Sequence, residues 1–261
     1  VGAARGVGLE YVRQLVRTRE NTLVFASSAM QAAQPTKQGH RGLNNVHVVE
    51  GDVTKYATLE SCATKVAEVT GGGLDVLIHN AARMSPETIY KGFDDFSSMD
   101  ELTEDFVDAY KINALGLIFS ITAFLPLLRA APTKKVVVIG SEGGTPAFVK
   151  NAAIQTMCAY GMSKGAQHVA ATKWHLKLAP EGFTVVSISP GLVDVTGTMG
   201  LNGNLVEKVR VEATIKASEG TEAPMTLWTP TESVLKQLGV IDGLTPERSG
   251  EFISTAGFET A

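Results

Sequence analysis

Two residues of this chain have side chains and a spacing suited to proton transfer. Tyr160 and Lys164 are four residues apart, and on a helix such residues lie on the same face. An ammonium group beside a phenol favours the phenolate, so we expect the Tyr160 pKa to be lowered from about 10 towards neutrality. Such a phenol can give a proton to a carbonyl oxygen, or take one from an alcohol. The pair therefore predicts acid–base chemistry on a carbonyl or alcohol.

A glycine-rich segment lies at the start of the sequence. Gly2, Gly6 and Gly8 precede and open a stretch in which apolar residues, beginning with Val7, recur at helical spacing. A glycine-rich turn at a helix N-terminus presents backbone N–H groups to phosphate oxygens. The alternative is an ordinary helix start. Together with the tyrosine–lysine pair, the segment predicts a dinucleotide cofactor and hydride transfer.

Composition excludes several classes of protein. The chain has 261 residues and a net charge of -4 at pH 7, without a basic stripe, which argues against a nucleic-acid partner. Cys62 and Cys158 are too few for a disulfide scaffold and fit a reducing, cytoplasmic location. The most apolar stretch, residues 114–128, is interrupted by Gly116 and Pro126, so we interpret it as a buried helix rather than a membrane span. We also expect no metal site, because no acid or cysteine completes a ligand set around the histidines.

Apolar patterns predict strands and helices that alternate along the whole chain. Strands are predicted at residues 22–26, 47–50, 74–79, 135–139, 183–189 and 251–254, and helices at 7–17, 54–69, 99–128, 160–177, 205–214 and 231–238. Such alternation is typical of a doubly wound parallel α/β sheet with helices on both faces, as in Rossmann-like folds. No linker or repeat divides the chain, so we predict a single domain over residues 1–261.

Polar residues follow the ends of three predicted strands. Asn80, Ser141 and the pair Pro190–Gly191 each come directly after an apolar strand. Ligands of open α/β sheets bind outside the carboxyl ends of the strands. We therefore expect these residues to gather on one rim of the sheet.

At this point the sequence resembles the short-chain dehydrogenase/reductase family over nearly its whole length. The motifs that carry the resemblance are Gly2-Ala3-Ala4-Arg5-Gly6-Val7-Gly8, Asp52-Val53, Asn80-Ala81-Ala82, Asn113, Ser141, Tyr160-x-x-x-Lys164 and Pro190-Gly191. One such motif alone is weak, whereas their common order along the chain is specific. The resemblance implies that the catalytic residues are Asn113, Ser141, Tyr160 and Lys164. It also implies cofactor contacts from the glycine turn, from Asp52 to Val53, from Asn80 to Ala82, and from Pro190, Gly191 and Val193.

The resemblance implies a role for each catalytic side chain. Tyr160 protonates the substrate carbonyl as hydride arrives, and Lys164 lowers the tyrosine pKa and hydrogen-bonds the nicotinamide ribose. Ser141 orients and polarises the carbonyl. Asn113 holds a water that relays protons from Lys164 to solvent.

The sequence departs from the family pattern in several places. The family's central first strand, which would precede Gly2, has no counterpart here, so we expect the sequence to be incomplete at its start. Ala82 replaces a glycine, and the interval from Ser141 to Tyr160 is long. Val195 stands where a threonine is usual, a role that Thr196 or Thr198 would take over.

The end of the first predicted strand indicates which nicotinamide cofactor is used. NAD-binding sites usually place an acid there to bond the ribose hydroxyls, but this strand ends in Ser27 and Ser28. Arg5 lies just before the second glycine, where a guanidinium can pair with a 2′-phosphate. We therefore predict NADP(H).

Two further segments bear on substrate and partners. Residues 159–164 and 249–252 are similar to fungal polyketide ketoreductases of the norsolorinic acid reductase type, which implies a sizeable apolar ketone or the corresponding alcohol. Residues 197–230 contain several glycines and apolar side chains, and form either a flexible lid over the substrate or a surface excursion. In the family that the sequence resembles, the helices at 106–128 and 160–177 often pair with a second subunit, which implies a homo-oligomer. Burial against the sheet alone is the alternative explanation of their apolar content.

Alternatives remain open for the function and for single residues. A non-catalytic NADP(H)-binding sensor or scaffold on the same fold is the main alternative to an enzyme, and a sugar-nucleotide epimerase is a third. Asp52 could cap the following helix without contacting the cofactor. Glu142 and Asp194 flank the predicted site, and we interpret both as solvated loop acids.

Overall fold

The computed structural model describes residues 1–28, 45–198 and 226–255. The strands are β1 Val24–Ser28, β2 Val46–Glu50, β3 Val76–His79, β4 Lys135–Ile139, β5 Thr184–Ser189, β6 Leu192–Val193, β7 Leu227–Trp228 and β8 Phe252–Ser254. The α-helices are α1 Gly6–Thr18, α2 Tyr56–Thr70, α3 Met99–Tyr110, α4 Gly116–Ala130, α5 Pro146–Asn151, α6 Cys158–Leu178 and α7 Pro230–Asp242. A π-helical turn, Lys111–Leu115, joins α3 to α4.

The strands pair in parallel, as their alternation with helices predicted. One group has the order β3-β4-β5-β8, in which Lys135 lies opposite Val76 on one side and Thr184 on the other. β1 pairs with β2, and the short strands β6 and β7 form a separate parallel pair. Parallel strands require crossover connections, which the helices provide. The predicted doubly wound, Rossmann-like α/β fold in a single domain is confirmed.

The two main strand groups meet at the first residues of the sequence. The Val1 nitrogen donates to the Ile78 carbonyl at 2.7 Å, and the Asn80 amide donates to the Val1 carbonyl at 3.0 Å. The Gly2 amide donates to the Ser27 carbonyl at 2.9 Å. Among the described residues no strand lies between β1 and β3, and a cavity of about 850 Å³ is lined by residues of both. Val1 and Gly2 therefore connect β3 to β1 through backbone hydrogen bonds.

Strand β4 shows why both faces of the sheet are covered. Val136 and Val138 pack into a core cluster with side chains from α2, α4 and α6. Val137 and Ile139 point to the other face and pack with side chains from α1 and α7. All four residues are buried. A strand that is apolar at every position is what a parallel sheet with two covered faces requires.

The helical segment Met99–Ala130 is long and apolar enough by composition to cross a membrane, but 61% of its apolar window is buried inside the protein. Leu117, Ile121 and Leu128 are fully buried against the sheet. At the other end, the Ser98 hydroxyl accepts from the Glu101 amide at 3.1 Å and caps α3. Packing in the core explains the apolar composition of this segment, as predicted.

Some local structure differs from the expectation. Helix α5 lies in the segment between β4 and Tyr160, and α6 begins at Cys158, two residues before Tyr160. The β6–β7 pair was not predicted. The predicted helix at 205–214 lies outside the described residues, and of the predicted lid at 197–230 only residues 197–198 and 226–230 are described.

Candidate active site

The predicted catalytic residues come from three elements that meet at the carboxyl edge of the sheet. Tyr160 and Lys164 lie in the first turns of α6, and Ser141 follows β4 directly. Asn113 lies in the π-helical turn, a local irregularity that is common at functional sites. The turn Pro190–Gly191 follows β5 on the same edge. The rim predicted from strand ends therefore forms, as expected for an open α/β sheet.

Lys164 is held in the interior by two acceptors. Its side chain is 2% exposed, and Nζ donates to the Ile139 carbonyl at 2.8 Å and to Gln167 Oε1 at 2.9 Å. Burial lowers the pKa of Lys164 to about 7, because the charged form loses solvation. An ammonium has three N–H donors, so one remains for the side of Nζ that faces Tyr160, whose ring centre is 5.8 Å away.

The pKa of Tyr160 moves in the opposite direction to the expected one. Burial of the phenol raises its pKa, a hydrogen bond with Ser141 lowers it, and the Glu142 charge raises it further. The expectation that Lys164 would lower the pKa of Tyr160 was wrong for this structure, because Nζ bonds to Ile139 and Gln167 instead. The raised pKa therefore favours the protonated phenol.

Ser141 is fixed through both its side chain and its backbone. Its hydroxyl accepts from the Gly143 amide at 3.2 Å and also bonds Tyr160. Its carbonyl lies 2.9 Å from His168 Nε2. Since a carbonyl can only accept, Nε2 carries the proton, and burial lowers the pKa of His168, which favours that neutral ring. His168 thus positions the serine loop.

Asn113 is fully buried, and its amide clamps a neighbouring loop. Oδ1 accepts from the Arg83 amide at 2.6 Å, while Nδ2 donates to the Arg83 carbonyl at 3.1 Å and to Ser163 Oγ at 2.8 Å. Both donors and one of the two lone pairs are therefore used. A relay water could bond this side chain only by donating to the remaining lone pair of Oδ1, so the predicted water-holding role stays a prediction.

The glycine turn has the close approaches that require glycine. Gly2 and Gly6 have positive φ values of 82° and 54°. A Cβ on Gly8 would lie 2.1 Å from the Gly2 carbonyl oxygen and 2.5 Å from Asn80 Nδ2. Asn80 Nδ2 in turn donates to that Gly2 carbonyl at 2.8 Å, so Asn80 braces the turn.

Helix α1 leaves its N-terminus available for an anion. It begins at Gly6, its N-cap residue Arg5 makes no side-chain cap bond, and its first turn contains no acid. The Gly6 amide donates to Thr198 Oγ1 at 2.9 Å, and Val7 is half-buried beside the turn. Arg5, just before the helix, is exposed. Backbone donors and a free cation at a helix N-terminus fit a phosphate group.

The end of β1 contributes polar groups that have no partner among the described residues. Ser27 and Ser28 are buried, and neither hydroxyl forms a hydrogen bond within the described ranges. Nearby, Asp52 Oδ1 accepts from the Thr54 amide at 2.9 Å and from the Thr54 hydroxyl at 2.7 Å. Asp52 therefore closes the turn before α2 and does not cap that helix, whose N-cap is Lys55 without a side-chain cap bond. Within the described ranges the two serine hydroxyls are available to bond a ligand.

The remaining predicted cofactor residues line the same edge. Ala81 packs against Gly2, Ala82 is exposed, and Val53 is buried against Gly116. Gly191 has a φ of 73°, and Val193 lies in β6 opposite Trp228. The Pro190 carbonyl accepts from Ser233 Oγ at 2.7 Å, which fixes this turn to α7. The glycine cradle and the unpartnered serines on one rim fit a phosphorylated dinucleotide.

A family model described as short chain dehydrogenase matches residues 1–204, well over half of the chain. This chain belongs to the short-chain dehydrogenase family. The resemblance stated from the motifs is thereby confirmed.

Two curated fungal members of that family align over nearly the whole chain. The short-chain dehydrogenase/reductase AacuF of Aspergillus aculeatus is 34% identical over 259 residues, which cover 98% of this chain and 96% of AacuF. The short-chain dehydrogenase/reductase atnB of an Arthrinium species is 33% identical over 263 residues, with the same coverage.

Solved structures share the short-chain dehydrogenase fold. The NADPH-bound carbonyl reductase from chicken fatty liver has a TM-score of 0.77 and 24% identity, and the match covers 100% of this chain and 96% of that one. The carbonyl reductase Sniffer of D. melanogaster has a TM-score of 0.76 and 20% identity, with the same coverage. At these identities the likeness establishes the fold.

Three residues of the site were missed in the sequence. Gln167 and His168 follow Lys164 at the helical spacings of three and four, which would have placed them on its face of α6. Glu142, interpreted as a solvated loop acid, is 6% exposed, and that interpretation was wrong. Asp194 is half-buried and accepts from the Thr196 amide at 3.0 Å, as an acid in a turn does.

Proposed function

We propose that this protein is an NADP(H)-dependent reductase of ketones, with Tyr160 as the general acid. The observation that carries the proposal is the arrangement of Ser141, Tyr160 and Lys164 on one rim of the sheet. Ser141 bonds the phenol, burial keeps the phenol protonated, and Lys164 lies behind it with a pKa of about 7. A protonated donor at a carbonyl-sized site is what reduction requires.

The proposed cofactor residues are those of the glycine turn and the neighbouring strand ends. The backbone around Gly2, Gly6 and Gly8 would hold the pyrophosphate at the start of α1. Arg5, Ser27 and Ser28 would bond a 2′-phosphate, which favours NADP(H) over NAD(H). The similar chicken carbonyl reductase is described as NADPH bound. When bound, the reduced nicotinamide supplies the hydride.

The chain's own residues manage the proton. Ser141 would hold the substrate carbonyl oxygen beside the phenol, and Tyr160 would donate its proton as negative charge develops on that oxygen. The resulting phenolate would lie near Lys164, whose buried amine can carry a proton near neutral pH. Asn113 fixes the adjoining loop through Arg83. Release of the phenol proton is thereby coupled to a second titrating group.

We infer that the substrate is a sizeable apolar ketone, of the aromatic polyketide type. The resemblance of residues 159–164 and 249–252 to fungal polyketide ketoreductases supports this substrate class. Of the segment predicted as a substrate-side lid, residues 197–198 and 226–230 are described, and Leu227 and Trp228 among them are partly buried.

We further propose a cytoplasmic homo-oligomer. An apolar groove of about 540 Å³ lies between α3 and α6, lined by residues that include Phe106, Tyr110 and Met162. Tyr110 and Met162 are 48% and 59% exposed. A second copy covering this groove would bury them. The cysteines, Cys62 and Cys158, are free and buried, which suits a reducing compartment.

A turnover assay tests the proposal directly. Purified protein should oxidise NADPH with a member of a panel of aromatic and polyketide-like ketones, and Tyr160→Phe should reduce turnover to background while NADPH fluorescence still reports binding. The alternative, a non-catalytic NADP(H) sensor, predicts binding with no turnover on any member of the panel. Full activity of Tyr160→Phe would rule out its assignment as the acid.

A further inference from the structure

Glu142 is a buried acid that joins three strand ends at the active site. It follows Ser141 directly and is 6% exposed. Its Oε2 accepts from Ser189 Oγ, at the end of β5, and its Oε1 accepts from Ser254 Oγ at 2.6 Å, at the end of β8. One side chain from the β4 loop therefore binds the ends of two neighbouring strands.

The two hydroxyl donors explain how this carboxylate is accommodated in the interior. Burying an acid is costly unless its oxygens are hydrogen-bonded. Within the described part of the chain, no lysine or arginine forms an ion pair with Glu142. Hydroxyl groups can donate to the carboxylate without neutralising it. The site thus retains a buried negative charge, which a purely structural tie would not need.

The contacts of Glu142 lead to both reacting sides of the site. Ser189 precedes Pro190 and Gly191, and its hydroxyl also accepts from the Gly191 amide at 3.4 Å. A chain of hydrogen bonds therefore runs from the Gly191 backbone through Ser189 to the residue beside Ser141. Moving Glu142 would change the separation between the serine and the turn on the nicotinamide side.

Polar and titratable side chains approach Tyr160 from two elements of the described structure. Ser141 and Glu142 face it from the loop after β4. Lys164 faces it from its own helix, with His168 one turn further along. The Glu142 charge raises the pKa of Tyr160, in the same direction as burial. The charge at this position therefore favours a protonated phenol in the resting site.

We propose that Glu142 is a positioning residue of this active site, which sets the distance between Ser141 and the Pro190–Gly191 turn and places a negative charge beside Tyr160. This inference rests on the proposed ketone reduction. The negative charge keeps the phenol protonated in the resting site, and the two hydroxyl bonds hold the serine loop in place.

Glu142→Gln separates the charge from the shape. The difference in ultraviolet absorbance between each protein and its Tyr160→Phe counterpart follows ionisation of Tyr160 alone. We expect Glu142→Gln to move this titration to lower pH and to lower kcat by about 10- to 100-fold, with little change in the KM for NADPH. Ser254→Ala, which keeps the charge, should lower kcat without moving the titration.

An acid outside the site provides the matched control for Glu142. Glu181→Gln removes an acid that pairs with Arg129 far from the site, and should match wild type. A titration and a kcat that both stay at wild-type values in Glu142→Gln would overturn the proposal. If that variant does not fold, Glu142→Asp keeps the charge with a shorter reach, and an unchanged kcat there would overturn it equally.

The titration also distinguishes this inference from the proposed function, because it needs neither ketone nor cofactor. A wild-type protein without turnover, whose Tyr160 titration still depends on Glu142, would refute the reductase and leave the electrostatic role of Glu142 in place. If the wild type reduces a ketone, but the Tyr160 titration and the rates do not depend on Glu142, the proposed reductase stands and the role of Glu142 is refuted.

Discussion

Replacement of Lys164 by methionine should change how the stability of the protein depends on pH. Burial lowers the pKa of Lys164 from the 10.5 of an exposed lysine to about 7. Between these two values the unfolded chain holds a proton on Lys164 that the folded protein has released. Stability therefore rises with pH across this interval, since the unfolded state binds more protons. Below a pH of about 7 the cost of burying the amine is fully present, and above about 10.5 it is absent.

The size of the effect follows from the same two values. Each pH unit well inside the interval contributes about 1.4 kcal/mol. The slope is smaller close to the folded-state pKa, so the wild type should gain about 2 kcal/mol between pH 7 and pH 9 that Lys164→Met does not gain. Loss of the bonds to Ile139 and Gln167 shifts the stability of the variant by an amount that does not depend on pH. The change of the difference with pH therefore isolates the charge.

Urea unfolding of both proteins, at intervals from about pH 6 to about pH 9, measures this difference. Lys173→Met removes an exposed lysine from the same helix, and its difference from wild type should stay constant with pH because water solvates that ammonium in both states. A constant difference between wild type and Lys164→Met over the whole range would refute the reasoning. It would mean that Lys164 stays protonated in the folded protein at neutral pH and above.

Three further variants test other parts of the site. Gly8→Ala places a Cβ 2.1 Å from the Gly2 carbonyl oxygen, so the turn must open. The Kd for NADPH, measured by fluorescence titration, should then rise at least about tenfold. An unchanged Kd would contradict this. Asn113→Ala removes the partners of the partly buried backbone groups of Arg83. Urea unfolding should show a loss of about 1 to 3 kcal/mol, and a loss below about 0.5 kcal/mol would count against the clamp. Arg5→Ala should lower kcat/KM for NADPH about 10- to 100-fold and leave that for NADH nearly unchanged; equal losses would argue against a 2′-phosphate contact.

The rim of the site could be predicted because its signals are local. Asn80, Ser141 and Pro190 each follow the end of a mainly apolar segment of strand length, and ligands of parallel sheets bind outside the carboxyl ends of the strands. The spacing of Tyr160 and Lys164 fixes their common helix face in the same way. For these residues the chain neighbours alone determine the position.

The environments of those residues could not be predicted, because they depend on distant contacts. Glu142 has the surroundings of a loop acid in the sequence, between Ser141 and two glycines. Its burial depends on hydroxyls that lie 47 and 112 residues further along the chain. The β6–β7 pair is short and joins distant segments, so no periodic pattern in the sequence predicts it. Secondary structure follows from local pattern, whereas the state of a side chain follows from the assembled fold.

The directions of the two pKa shifts fit together better than the expected phenolate would. A tyrosine that begins as a phenolate cannot donate a proton, so a site for reduction has to keep the phenol neutral until the carbonyl oxygen gains charge. Burial and Glu142 do this for Tyr160. Burial also keeps Lys164 close to half-protonated at neutral pH. A phenolate that forms beside it would then stabilise the protonated form of the amine. The pair therefore does not need a low tyrosine pKa at rest, because opposite charges on Tyr160 and Lys164 stabilise each other only after the proton has left.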